Sequence, residues 1–195
     1  MPTQALSSAR SNQSINYRSL IEPDRIHGSL YTSEAVFQEE MQKIFYRGWA
    51  FVGHDSEIPA IGDYITRVIG LEPLIMLRDR DNQVRVFSNR CMHRGNKLCS
   101  QDSGNKRALV CDYHGWSFSL DGELKSVPYP AGFDKDKALL SLRGPARVES
   151  YQGFVFATFN PDACSLDQHL GKAKSLIDRV VMLSPNGRIH LNAGW

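Results

Sequence analysis

Two stretches, CMHRG from Cys91 and CDYHG from Cys111, each place one cysteine and one histidine just ahead of a glycine. Seventeen residues separate His93 from Cys111, and half of the four cysteines are spent this way. Both pairs fall between segments that read as β-strands, so the fold must bring two inter-strand loops face to face. Gly95 and Gly115 allow tight backbone turns beside whatever the thiols and imidazoles hold. Thiolate and imidazole are both ligands for transition metals, which makes Cys91, His93, Cys111 and His114 the candidate ligands.

The sequence around the pairs is built of short β-rich runs: WAFVG, DYITRVIG, LIMLRD, VRVFS, RALVC, WSFSL, ARVES and GFVFATF. Turn chemistry separates several of them, as in RDRDNQ (78–83) and LDGE (120–123). The expected fold is mainly β (α+β), with small antiparallel sheets over residues 46–160. Residues 1–45 read as a polar arm, without period to about residue 30, followed by a helix. Thr32 or Ser33 caps that helix, Val36, Phe37, Met41, Ile44 and Phe45 form its apolar face, and Gly48 ends it. Residues 161–195 read as a helix with Leu166, Leu170, Leu176, Ile177 and Val180 apolar, weakened by Gly171. RIHLNAGW then alternates like a strand of a further sheet.

Composition narrows the function. A net charge of +2 does not point to nucleic acid as a partner. No run approaches the roughly 20 apolar residues that span a bilayer. The opening MPTQALSSAR has no apolar core of a secretion signal, so a cytoplasmic location is expected. Four unevenly spaced cysteines do not form a disulfide framework, and 195 residues bury a core without help from metal.

Two kinds of centre use two cysteines and two histidines. Zinc sites of this composition usually keep two cysteines on one knuckle and two histidines on a helix, a pattern absent here. A two-iron, two-sulfide cluster of the mixed kind takes two thiolates on one iron and two imidazoles on the other. One cysteine and one histidine from each of two facing loops meets that demand. Cys99 and Cys164 read as small buried apolar residues. His27, His54, His169 and His190 lack ligand spacing.

The stretch C-x-H-R-G, seventeen residues, C-x-x-H-G-W, then GEL and VP resembles the Rieske domain of ring-hydroxylating oxygenase large (α) subunits. The likeness runs over about residues 20–160 and into ARVESYQGFVFATF. It implies a Rieske [2Fe-2S] cluster, with Cys91 and Cys111 on the inner iron and His93 and His114 on the outer. Arg94, Tyr113 and Trp116 are then the neighbours of the cluster. Respiratory-chain Rieske proteins carry a second cysteine in each loop, but here Asn96 and Tyr113 stand at those positions, so that bridge cannot form.

The resemblance also implies an NADH-dependent, aromatic-ring-hydroxylating dioxygenase; the alternative is a stand-alone, ferredoxin-like Rieske electron carrier, for which the N-terminal arm and helix have no use. In the dioxygenase, electrons come from a ferredoxin or flavin reductase and pass to a mononuclear Fe(II) that activates dioxygen in the full-length enzyme. A trimer-based homo-oligomer, or a complex with a small β subunit, is implied as well. The two-histidine, one-carboxylate set of that iron is not found; Asp167 and His169 in LDQHL have no partner. No catalytic residue is therefore expected in this chain, and residues 161–195 read as the beginning of a catalytic domain otherwise absent. Around the first loop, Arg90, Arg94, Lys97, Lys106 and Arg107 face Asp102 alone, an expected docking surface for an acidic electron donor.

Overall fold

The computed structural model describes residues 15–130 and 136–191, and the chain divides into two compact units, Met1–Glu40 and Met41–Trp195. In the first, a 3-10 turn at Tyr17–Leu20 leads into a minimal hairpin of β1 (Ile21–Glu22) and β2 (Arg25–Ile26). An Arg25–Glu22 ion pair of 2.7 Å closes the hairpin. Short α1 (Ser29–Thr32) and α2 (Glu34–Glu40) follow. Residues 15–30 thus hold short elements where the sequence shows no period. Ile21 and Ile26 are both half-exposed, so the hairpin buries no apolar stripe that could have betrayed it. Ser33 is extended between the two helices and its carbonyl accepts from Phe37 N at 3.0 Å, the geometry of an N-cap.

The helix expected to run on to Gly48 changes character at Met41–Phe45, a π-turn in which Tyr46 N donates to Met41 O. A π-turn carries one extra residue, which breaks the 3.6-residue period. Met41 stays buried while Ile44 and Phe45 come to the surface, so the expected continuous apolar face does not form.

Ten strands follow among the described residues of the second unit. They are β3 (Ala50–His54), β4 (Asp63–Ile69), β5 (Glu72–Arg78), β6 (Val84–Ser88), β7 (Ser103–Asn105), β8 (Leu109–Val110), β9 (Ser117–Phe118), β10 (Leu124–Ser126), β11 (Arg147–Tyr151) and β12 (Phe154–Thr158). They pair antiparallel as a four-stranded sheet, β6-β5-β4-β7, and two three-stranded sheets, β10-β9-β8 and β11-β12-β3. The expected mainly-β fold of small antiparallel sheets is what the chain adopts. β7 escaped the sequence reading because SGN has no strand propensity and is held by its pairing with β4.

Successive residues of β5 point to opposite faces of the sheet. Ile75 and Leu77 enter a core with Leu98, Leu109, Trp116 and Phe118, and with the thiols of Cys91 and Cys111. Leu74 and Met76 enter a second core with Val52, Ile65 and Val155, shared with the β11-β12-β3 sheet.

After β12 come α3 (Leu166–Leu170) and α4 (Ala173–Met182), split at Gly171, which takes φ +45°. Ser165 and Gln168 form a capping box on α3. α4 is held by Tyr151 Oη donating to Asp178 at 2.7 Å, and Val181 is buried. Leu176 and Val180, expected to face a core, are instead exposed. Residues 188–191 form no strand, and Leu191 N donates to Ser56 Oγ at 3.0 Å; the remainder of that expected strand, 192–195, lies outside the described residues.

The RDRDNQ turn is organised by Asp79, whose side chain is 2% exposed. Its Oδ1 accepts from Asp81 N and Gln83 N, and its Oδ2 accepts from Arg85 Nε at 2.6 Å. Burial alone would raise this carboxyl, but the hydrogen bonds and the Arg85 charge outweigh it and hold it below the ordinary carboxylate value. A depressed folded-state pKa stabilises above the unfolded value and ceases to do so as pH falls through the folded one. Asp79→Asn should therefore lower unfolding stability at neutral pH. The gap from the unaltered chain should close below about pH 4, as read by urea denaturation across pH.

Candidate metal centre

The two ligand loops repeat one backbone design. In the first, Gly95 N donates to Cys91 O and Cys91 N to Asn96 O, both at 2.8 Å. In the second, Gly115 N donates to Cys111 O at 2.9 Å and Cys111 N to Trp116 O at 2.8 Å. Gly95 and Gly115 take φ of +75° and +70°, the left-handed region where a glycine is favoured. The one-residue difference in Cys-to-His spacing is absorbed inside a common turn, because the glycine stands four residues after the cysteine in both.

These loops bring like with like. Cys91 and Cys111 are both buried and close enough for each to bias the ionisation of the other. The rings of His93 and His114 lie 4.7 Å apart, edge to face, and each ring is partly exposed. Their Nδ1 atoms are buried, and that of His114 makes no hydrogen bond. A buried imidazole nitrogen of that kind costs free energy unless another group takes it up. Among the described residues, no three His, Cys, Asp or Glu side chains converge on one point that could hold a single metal ion. The four candidate ligands form a sulfur pair and an imidazole pair, not one four-sided cage.

Burial lifts the Cys91 thiol to about 11, aided by its closeness to Cys111 and offset in part by the backbone N–H groups of His93 and Arg94. Burial would lift Cys111 too. The backbone N–H groups of Tyr113 and His114, with hydrogen bonds from Cys91 and Asn96, bring it below the ordinary thiol value. Burial, then the charges of His114 and Arg94, holds the His93 imidazole below its usual value, favouring the neutral form that binds metals.

Trp116 is buried and stacks on His93 at 4.9 Å with 9° between the planes. Tyr113 lies 3.8 Å from His114 but is largely exposed, and the Arg94 guanidinium sits 5.6 Å above its ring. Each imidazole thus has an aromatic neighbour, one in the core and one at the surface. Asn96 Nδ2 reaches across to Cys111 Sγ at 3.8 Å.

Among the other residues singled out, Cys99 is buried as expected, its thiol raised to about 11 mainly by burial and in contact with Tyr64. Cys164 is exposed, against expectation; it precedes the α3 cap, where its carbonyl, not its thiol, is used, accepting from Trp49 Nε1. Of the basic residues, Arg94, Lys97 and Arg107 are exposed, Lys106 is half-buried, and Arg90 is 3.8 Å from Glu72, an acid that only the fold brings there. Asp167 pairs with Lys174. Sequence reading missed Asn89, immediately before the first loop. It is 2% exposed and its side chain bonds to Leu98 and Cys99. Its signal was the residue type, since Asn bonds backbone groups near it in sequence.

The sequence profile of the Rieske [2Fe-2S] domain matches residues 48–152. The biphenyl 2,3-dioxygenase subunit alpha of Rhodococcus jostii is 39% identical over 163 residues, which cover 80% of this chain and 34% of that protein. The large oxygenase component of the naphthalene 1,2-dioxygenase system of Pseudomonas putida is 39% identical over 180 residues, covering 87% and 39%. The chain therefore spans well under half the length of these curated relatives. A solved naphthalene 1,2-dioxygenase with indole in its active site superimposes with a TM-score of 0.77 at 40% identity, over 85% of this chain and 37% of the other. A quaternary ammonium Rieske monooxygenase in complex with gamma-butyrobetaine gives 0.71 at 36%, over 78% and 44%.

The shared turn makes a stability prediction. Alanine at φ near +70° costs about 1–2 kcal/mol, so Gly95→Ala, with open space around its Cβ, should cost about that. Gly115→Ala should cost more, because its Cβ would stand 3.1 Å from Pro128 Cγ. Equilibrium denaturation of both variants checks the order.

Proposed function

The chain belongs to the Rieske [2Fe-2S] domain family, and from that premise we propose that it is the electron-entry portion of a ring-hydroxylating oxygenase α subunit. The observation that carries this reading is the sorting of ligands, with two thiols buried together and two imidazoles together at a partly exposed edge. Cys91 and Cys111 would hold one iron, and His93 and His114 the other through their buried Nδ1 atoms. Zinc fits less well, because a single ion needs all four side chains around one point. When bound, the cluster supplies a one-electron carrier whose potential imidazole ligation raises above that of plant-type ferredoxins.

The protein's own groups then have distinct tasks. The core around Cys91 and Cys111 keeps water from the thiolate side. Trp116 fixes the plane of the His93 ring by stacking, and Tyr113 with Arg94 covers His114 from the surface. Electrons would enter at the imidazole edge from a ferredoxin or flavin reductase with NADH as the distal donor. They would leave for a mononuclear iron carried outside the residues present here. By the names of its curated relatives, the substrate would be an arene; the family resemblance implies a trimer-based homo-oligomer or a complex with a small β subunit.

Two measurements test the reading. Cys91→Ser should abolish the visible absorption and the iron content of the reconstituted chain, while Cys99→Ser should preserve both; the opposite result overturns the ligand assignment.

The second concerns donor docking. Lys97, Lys106 and Arg107 leave positive charge near the first loop, and such charge speeds encounter with an acidic partner over a Debye length of about 8 Å at physiological salt. The stopped-flow rate of reduction by an acidic ferredoxin should fall as salt rises, and Lys97→Glu should slow it most at low salt. A rate flat in both comparisons removes the docking surface.

A further inference from the structure

The two ligand loops are alike at their tips and unlike at their bases. The second rises from a β-ladder: Leu109 and Val110 of β8 pair with Phe118 and Ser117 of β9. The first has a strand on one side only. β6 ends at Ser88, paired with Leu74, and Asn89 N prolongs the edge by donating to Pro73 O at 2.7 Å. The returning limb, Leu98–Ser100, belongs to no strand.

The Asn89 carboxamide closes that base instead. Its Oδ1 accepts from Leu98 N at 3.0 Å and Cys99 N at 2.9 Å, and its Nδ2 donates to Cys99 O at 2.7 Å. Asn89, Leu98 and Cys99 are each 2% exposed, so no water replaces these bonds if they are lost. The returning limb packs Leu98 and Cys99 into the core, while a cavity of about 350 Å³ lined by Asn89, Lys97, Cys99 and Ser100 leaves it less than fully enclosed.

We propose that Asn89 is a positioning residue for the cluster: its side chain sets the span of residues 90–97 and thereby holds Cys91 and His93 in place opposite Cys111 and His114. This rests on the Rieske reading above. Asn89→Leu keeps the approximate volume and removes all three bonds. Asn89→Asp keeps both acceptor contacts and loses the donor.

The test uses the 195-residue chain, iron-free and reconstituted. In the iron-free form, hydrogen exchange at the Leu98 and Cys99 amides should be protected in the unaltered chain and at least about tenfold faster in Asn89→Leu. After reconstitution, the variant should release iron to a chelator faster than the unaltered chain by a similar factor, with shifted EPR g-values and a shifted midpoint potential. Asn89→Asp should lie between. Asp79→Asn, at a buried hub in another turn, should lose stability yet keep the g-values and potential. Unaltered exchange, g-values and potential in Asn89→Leu overturn the proposal, as do equal shifts in Asp79→Asn. Where Asn89→Leu does not fold, Asn89→Asp decides by the same readouts. A reconstituted unaltered chain without iron overturns the Rieske reading instead, and amide exchange still decides the role of Asn89.

Discussion

Leu74, Ile75, Met76 and Leu77 are wholly withdrawn from solvent, and because successive strand side chains point to opposite faces, they seed two cores and not one. The core under Ile75 and Leu77 contains the sulfur atoms of the candidate site among its members. The other joins the four-stranded sheet to β11-β12-β3. Burial of one central strand on both faces therefore supplies the dry floor under the ligand loops and also the frame that keeps that floor rigid. Truncating a fully buried leucine to alanine in such a strand typically removes about 2–5 kcal/mol, a large part of a domain's stability.

On that floor the loops solve a problem of charge and access. On the reading proposed above, the thiolates lie in a dry core where a bound metal offsets the cost of burying their charge, whereas an electron must reach the centre from outside. The structure separates these demands, with the thiols beneath the turn glycines and the imidazoles at the rim. All four cysteines are free, so no disulfide ties the loops together. In its place stand contacts across the gap: Asn96 to the Cys111 sulfur, Arg94 over Tyr113, and Trp116 against His93. Asn96 and Tyr113 occupy the positions where respiratory-chain Rieske proteins have the bridging cysteines, and both have been given other cross-loop tasks.

Much of this was legible in the chain itself. The strands rich in Val, Ile, Leu and Phe announced themselves, and so did the turns at 78–83 and 120–123, because their residues have few alternatives. β7 and β10 did not, since SGN and LKS are strands only by virtue of the neighbours they pair with. Ile44, Phe45, Leu176 and Val180 were misplaced for the opposite reason: a helical period says that a stripe exists, not that anything covers it. Asn89 went unnoticed because its partners, Leu98 and Cys99, lie on the far side of a loop whose path the sequence does not reveal.

By itself, the sequence determined the identity of the four candidate ligands, the glycine after each pair, and the mainly-β texture around them. Those are properties of residue type and spacing, and they survive any arrangement of the loops. The resemblance implied that cysteine would meet cysteine and histidine meet histidine, and the tertiary structure supplies the loop geometry that brings each pair together. The tertiary structure alone decided that Asn96 reaches across to the Cys111 sulfur, that Glu72 tempers the basic face at Arg90, and that one limb of the first loop is held by a side chain. Each of these depends on distances between segments remote along the chain, which are set by packing against β5 and not by local preference.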